Sequence, residues 1–207
     1  EKPVLLIAED NDDLRFYLKD NLLQQFEILE ASDGDTALAM VQKFVPDLII
    51  SDIMMPGIDG VELCRRIKTD RTICHIPLIL LTAKSSEQQQ LQGIEMGADD
   101  YIIKPFNFQI LEAKINNILS FRSTMRQVFK NKLQIEPREI TVTSLDEQFM
   151  SKVLDLAEKN IAVADYSIEL MSHDMGMSRT LLYKKILALT GKPPLEFLRS
   201  LRLKRAA

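Results

Sequence analysis

Residues 48–60 read Leu-Ile-Ile-Ser-Asp-Ile-Met-Met-Pro-Gly-Ile-Asp-Gly. An apolar run arrives at an acid, Asp52, and a proline–glycine turn follows close behind it. A run this short, with no polar alternation, suits a strand buried on both faces. Working outward, the same pattern recurs. Apolar runs at 4–8, 26–30, 47–51, 77–81 and 101–103 alternate with helix-period segments at 14–23, 35–44, 61–68, 88–96 and 108–121. Five strands alternating with five helices predict an α/β fold, a parallel sheet wound on both faces by helices. In such a sheet the functional crevice lies beyond the carboxyl ends of the strands.

That edge is rich in chemistry. The first run leads into Glu9 and Asp10, the third into Asp52, the fourth into Thr82 and the fifth into Lys104-Pro105. Three carboxylates on one edge repel unless a positive charge sits among them, and a hard divalent cation with oxygen ligands, Mg2+, answers that need. Asp52 then suits a nucleophile that forms an aspartyl phosphate. Lys104 would neutralise a phosphoryl oxygen, and the Thr82 hydroxyl would donate to another. Asp12 and Asp13 read more simply as first-turn acids complementing a helix dipole.

Composition narrows the class. The chain has 207 residues, 46% hydrophobic and 27% charged, enough for one or two folded domains and too apolar for wholesale disorder. No apolar run approaches the roughly 18 residues of a membrane span. The two cysteines, Cys64 and Cys74, cannot build a disulfide framework, so a reducing, cytoplasmic setting is expected. The chain opens on Glu1 with no basic-then-apolar leader, which reads as an excised, non-secreted piece. Charge is uneven. Residues 1–123 carry 12 Lys and Arg against 20 Asp and Glu, whereas residues 178–207 carry 8 against one. An acidic front joined to a basic end suits a regulatory module followed by a nucleic-acid binder, although two ordinary domains of different charge would look the same.

Residues 122–143 mix Arg, Lys, Gln and Thr around Pro137 and read as a linker into which the fifth helix frays. Ser144-Leu-Asp-Glu147 then fits a capping box, and further helices are predicted from Ser167, from Ser178 and near Pro194. Between the middle two, Asp174-Met175-Gly176-Met177 suits a tight turn with a left-handed glycine. Two short helices about a glycine are a weak sign of a helix-turn-helix. The start of the later helix strengthens it, since Ser178, Arg179, Thr180, Tyr183 and Lys184 are polar, basic or aromatic while Leu182 and Ile186 can face a core.

The motifs LLIAED ending at Asp10, LIISDIMMPGIDG ending at Gly60, LILLTAK ending at Lys84 and GADDYIIKPF ending at Phe106 resemble the receiver domain of two-component response regulators. The resemblance spans residues 3–121 and implies a flavodoxin-like fold. It also implies Asp52 as phosphoacceptor, Asp10 binding Mg2+ directly, Glu9 through water and the Met54 carbonyl as a further metal ligand. Thr82 and Lys104 would hold the phosphoryl group, Lys104-Pro105 would be cis, and Tyr101 would be the aromatic that turns inward as Thr82 moves towards phosphate. The receiver would assist its own phosphorylation and dephosphorylation without being an enzyme in the ordinary sense, and would pair as a homodimer once phosphorylated.

From residue 146 the sequence resembles the first helix-turn-helix and connecting helix of the AraC family, through MGMSRTLLYKKILALTGKPPLEFLRSLRLKRAA. Arg179, Thr180, Tyr183 and Lys184 match that family's DNA-facing positions, and Leu170, Leu182, Ile186 and Leu198 match its core. Gly191-Lys192-Pro193-Pro194 departs from the family's serine-capped turn. The family continues into a second helix-turn-helix beyond Ala207. The implied organisation is a receiver at 1–122, a linker at 123–143 and a partial AraC-type domain at 144–207. Together these resemble the end of Bacteroides-type hybrid two-component proteins, free in the cytoplasm or as the cytoplasmic end of a membrane-anchored sensor. A histidine kinase and DNA are the implied partners. The alternative is a phosphorelay intermediate with a helical output that does not bind DNA. It lacks a convincing acceptor, because His75 and His173 both read as structural or surface residues.

Overall fold

The structure is a computed structural model that describes residues 2–83, 97–131, 144–161 and 166–206. The predicted helix at 88–96 and residues 132–143 of the predicted linker lie outside the described residues. The chain divides into two compact units, Glu1–Ser120 and Phe121–Ala207.

In the first unit, β1 (Val4–Ala8), β2 (Glu27–Ala31), β3 (Leu48–Asp52), β4 (Leu78–Ala83) and β5 (Asp100–Lys104) form one sheet in the order β2-β1-β3-β4-β5. Every neighbouring pair is parallel. The chain is thus an α/β protein with the predicted flavodoxin-like receiver fold. Alternation along the strands builds two separate apolar layers. Leu6, Ala8, Ile49, Leu78 and Leu80 pack with residues of α2 (Gly34–Phe44) and α3 (Gly60–Thr69). Leu5, Ile7, Leu48, Ile50, Ile79 and Leu81 pack with Leu18 and Leu22 of α1 (Asp12–Leu22) and with Leu111 and Ile115 of α4 (Phe108–Asn131). A strand buried on both faces has no polar side to show, which is why its sequence reads as an unbroken apolar run.

Three helices begin beside the carboxyl edge of the sheet with acid or amide caps. Asn11, Asp33 and Asp59 each accept a hydrogen bond from the backbone N–H three residues on, at 2.9, 2.7 and 2.7 Å. Each cap satisfies an orphan donor of the first helical turn. Asp12 and Asp13 occupy the first turn of α1.

α4 differs from expectation. It runs unbroken to Asn131, ten residues past the predicted end and through the residues expected to fray. Residues 122–131 contain neither glycine nor proline, so nothing local breaks the helix within them.

The regular elements described in the second unit are all helices: besides the end of α4, they are α5 (Ser144–Lys159), α6 (Ile168–Met175), α7 (Arg179–Thr190) and α8 (Pro194–Ala206). Ser167 and Ser178 cap α6 and α7, while α5 begins at Ser144 itself. Gly176 closes α6 in the left-handed conformation, with φ 68°. Leu182, Ile186 and Leu198 are buried, but Leu170 is exposed, contrary to its expected place in the core. On α6 the inward positions fall to Ile168, Met171 and Ser172, and Leu170 stands beside that row instead of in it. Among the described residues, no helix is long and apolar enough to cross a membrane.

Candidate functional site

Parallel register brings the predicted residues to one edge. Ala8 pairs with Ser51, Asp52 with Leu81 and Ala83 with Lys104, so the ends of β1, β3, β4 and β5 stand side by side. The Lys104 ammonium sits between two carboxylates, 2.7 Å from Glu9 Oε2 and 2.9 Å from Asp52 Oδ2. Glu9 and Asp52 are buried, while Asp10 faces solvent. Oxygen atoms of Glu9, Asp10 and Asp52 lie within 4.8 Å of one another.

The electrostatics follow from that crowding. Like charges about 5 Å apart repel by on the order of 3 kcal/mol at an effective dielectric of about 20. One lysine cannot neutralise three acids. Burial raises Glu9 above the ordinary carboxylate range; the hydrogen bond from Lys104 opposes this, and the Asp52 charge adds to it. The donor set is all oxygen, with an open, solvent-facing member in Asp10. That is what a hard divalent cation requires, and no sulfur or imidazole ligand competes in the cluster.

The backbone holds the loop after Asp52 closely. A Cβ added at Gly60 would stand 2.1 Å from the Asp52 carbonyl oxygen, and the Gly60 N–H donates to the Ile53 carbonyl at 2.8 Å. Only glycine permits that approach. Ile53, Met55 and Ile58 anchor the loop in the core, whereas Met54 is 65% exposed beside Asp52. Thr82 is fully buried on β4. Tyr101, on β5, lies partly open to solvent at 38%. The Lys104-Pro105 bond is cis.

Arg15 escaped the sequence reading. Its guanidinium donates to the Glu9 carbonyl at 2.7 Å and so braces the turn that carries Glu9 and Asp10. Its place one helical turn after the Asn11 cap was the available signal.

In the second unit, Arg179 and Thr180 open α7 exposed to solvent, Tyr183 is 43% exposed and Lys184 is partly covered. Arg179 Nη1 lies 2.7 Å from Glu169 Oε1 of α6. His173 is exposed and His75 is buried.

The family model described as response regulator receiver domain matches residues 5–116. The chain is 44% identical over all 207 of its residues to Histidine kinase P4 of Formosa agariphila, of which it spans 15%. It is 38% identical over 149 residues, 70% of the chain, to transcriptional regulatory protein AfsQ1 of Streptomyces coelicolor, with 64% of that protein covered. A crystal structure of a putative response regulator from Chloroflexus aurantiacus superposes on 58% of the chain and 99% of its own, with a TM-score of 0.54 and 35% identity. The chain therefore spans less than two thirds of the length of these two curated relatives.

Proposed function

The chain belongs to the response regulator receiver family through residues 5–116, and from that premise we propose that it is a phosphorylation-dependent transcription regulator. Its phosphoryl donor would be a histidine kinase. The observation that carries the reading is the grip of Lys104 on Asp52 and Glu9 at the carboxyl edge of the sheet. One Asp52 oxygen attacks the phosphorus of a phosphohistidine, the P–N bond breaks, and the released imidazole takes a proton from solvent. Lys104 offsets the charge gathering on the phosphoryl oxygens, and the Thr82 hydroxyl donates to one of them. Glu9, Asp10, Asp52 and the Met54 carbonyl would hold Mg2+, whose charge relieves the carboxylates and draws in the phosphoryl group. Thr82 moving towards phosphate would open space into which the Tyr101 ring turns, a two-state repacking biased by phosphorylation.

The second unit is assigned as the output: a partial AraC-type helix-turn-helix over 144–207, joined by a linker at 123–143 whose residues 123–131 belong to α4. Support comes from the glycine turn between α6 and α7 and from the exposure of Arg179, Thr180 and Tyr183 at the start of α7, with Lys184 beside them. The relative named a transcriptional regulatory protein agrees with such an output. The match to Histidine kinase P4 along the whole chain suits a kinase on the same polypeptide.

Acetyl phosphate with Mg2+ should add one phosphoryl group to the parent chain and none to Asp52→Asn, read by intact mass. Label persisting in Asp52→Asn would reject the assignment. DNA binding should weaken with salt and fall in Arg179→Ala and Lys184→Ala. Transfer of the phosphoryl group to a histidine domain, with no DNA binding at any salt concentration, would favour the relay instead.

A further inference from the structure

An acid and a base lie paired inside the core of the second unit. Asp146 and Lys185 are both completely buried, with Lys185 Nζ 2.8 Å from Asp146 Oδ1 and 4.8 Å from the centre of the Phe149 ring. Asp146 shares the buried row of α5 with Phe149, Met150, Val153 and Ala157. Lys185 shares that of α7 with Leu182, Ile186 and Leu189. Helical spacing reserves both positions for apolar side chains. As a source of stability the pair is poor, because desolvating two ions cancels most of their attraction, and apolar side chains of similar volume often do as well or better.

α7 supplies a reason for keeping it. Leu181, Leu182, Ile186, Leu187, Ala188 and Leu189 are spread round the helix instead of forming one stripe, since successive residues turn by about 100°. Rotating α7 by one residue would still bury several of them. Hydrophobic burial therefore makes α7 pack without strongly choosing which face goes inward. An ion pair is less tolerant. The same rotation would carry Lys185 away and leave the Asp146 carboxylate in the core without its ammonium, a costly state. Single buried polar residues set register in coiled coils by the same logic.

We infer that Asp146 and Lys185 form a rotational lock, selecting the setting of α7 that presents Arg179, Thr180 and Tyr183 outward. The inference concerns how that face is presented, and it stands whether or not the face reads DNA.

The chain's own thiols, Cys64 and Cys74, are buried, so an introduced cysteine supplies the reactive thiol. The 207-residue chain would carry Thr180→Cys or Leu189→Cys in three backgrounds: the parent pair, Asp146→Leu with Lys185→Met, and the reversed pair Asp146→Lys with Lys185→Asp. Alkylation rates and melting temperature are then measured. In the parent, Thr180→Cys should react about 100-fold faster than Leu189→Cys, because the latter must wait for local opening. The apolar pair should melt no lower than the parent while that ratio falls about tenfold, as α7 samples other rotations. The reversed pair should recover the ratio even if it melts lower. An apolar pair that keeps both melting temperature and ratio would overturn the lock, because packing alone would then suffice. An apolar pair that loses both would reduce the pair to a structural role and equally overturn it. Should the apolar pair not fold, the reversed pair decides: a ratio restored to the parent's supports the lock, and one that is not restored refutes it.

Discussion

Glu9 shows what a site residue costs its own fold. Its folded pKa is raised, so the folded chain holds that proton more tightly than the unfolded chain does. The stability it contributes is full below the ordinary carboxylate pKa and is lost as pH rises through the raised value. In metal-free buffer, Glu9→Gln should therefore melt higher than the parent at pH 7, with the difference vanishing in acid; a scan of melting temperature against pH checks this. Adding Mg2+ should raise the parent's melting temperature more than the mutant's, because a ligand of the folded state stabilises by mass action. On the proposed function, Met54 bears on a different property. Loss of phosphate needs a water placed opposite the Asp52 oxygen, and a thioether offers such a water almost nothing. Met54→Asn should release label a few-fold faster, roughly the effect of one orienting hydrogen bond, in a timed mass measurement. Single residues were legible where a strand ended on them, as with Asp52 and Lys104. Arg15 was hidden because its role depends on a backbone carbonyl, which leaves no mark on the side-chain pattern.

At the scale of elements, the predicted strand limits differ from the observed ones by no more than two residues, because short apolar runs flanked by turns leave little latitude. The helix ends were less legible. α4 extends past its predicted end because its apolar stripe thins after Phe121 while nothing in residues 122–131 breaks the backbone. The core assignment of Leu170 rested on the family resemblance alone, and on an eight-residue helix a shift of one position moves a leucine off the inward row. Asp146 and Lys185 lay out of sight because polar letters at inward positions read as surface until their partner is known. Gly176 was legible, and its backbone explains why. No atom lies within 4 Å of a Cβ placed there, yet φ is +68°. Gly176→Ala should accordingly lose about 1 kcal/mol from backbone strain without any clash. A thermal melt of the 207-residue chain would report it, and an unchanged midpoint would show that the turn can relax.

For the whole molecule, the expectation is a symmetric dimer on phosphorylation, formed by a receiver face built from residues 88–96, the Tyr101 strand and residues 108–121. The first part of the predicted face, residues 88–96, lies outside the described residues. Two-fold pairing is the commonest closed assembly and would present two output units to repeated half-sites. Sedimentation with and without beryllofluoride checks it, and an unchanged monomer mass at high concentration would count against pairing. The two thiols of the receiver core bear on the molecule in another way. Cys64 and Cys74 are both buried, and burial pushes the Cys64 thiol up to about 11. At neutral pH the Cys64 thiolate that peroxide would attack is then nearly absent, and no cysteine of the chain lies at the surface for a disulfide partner to reach. Neither thiol of this chain is therefore placed to act as an oxidant sensor.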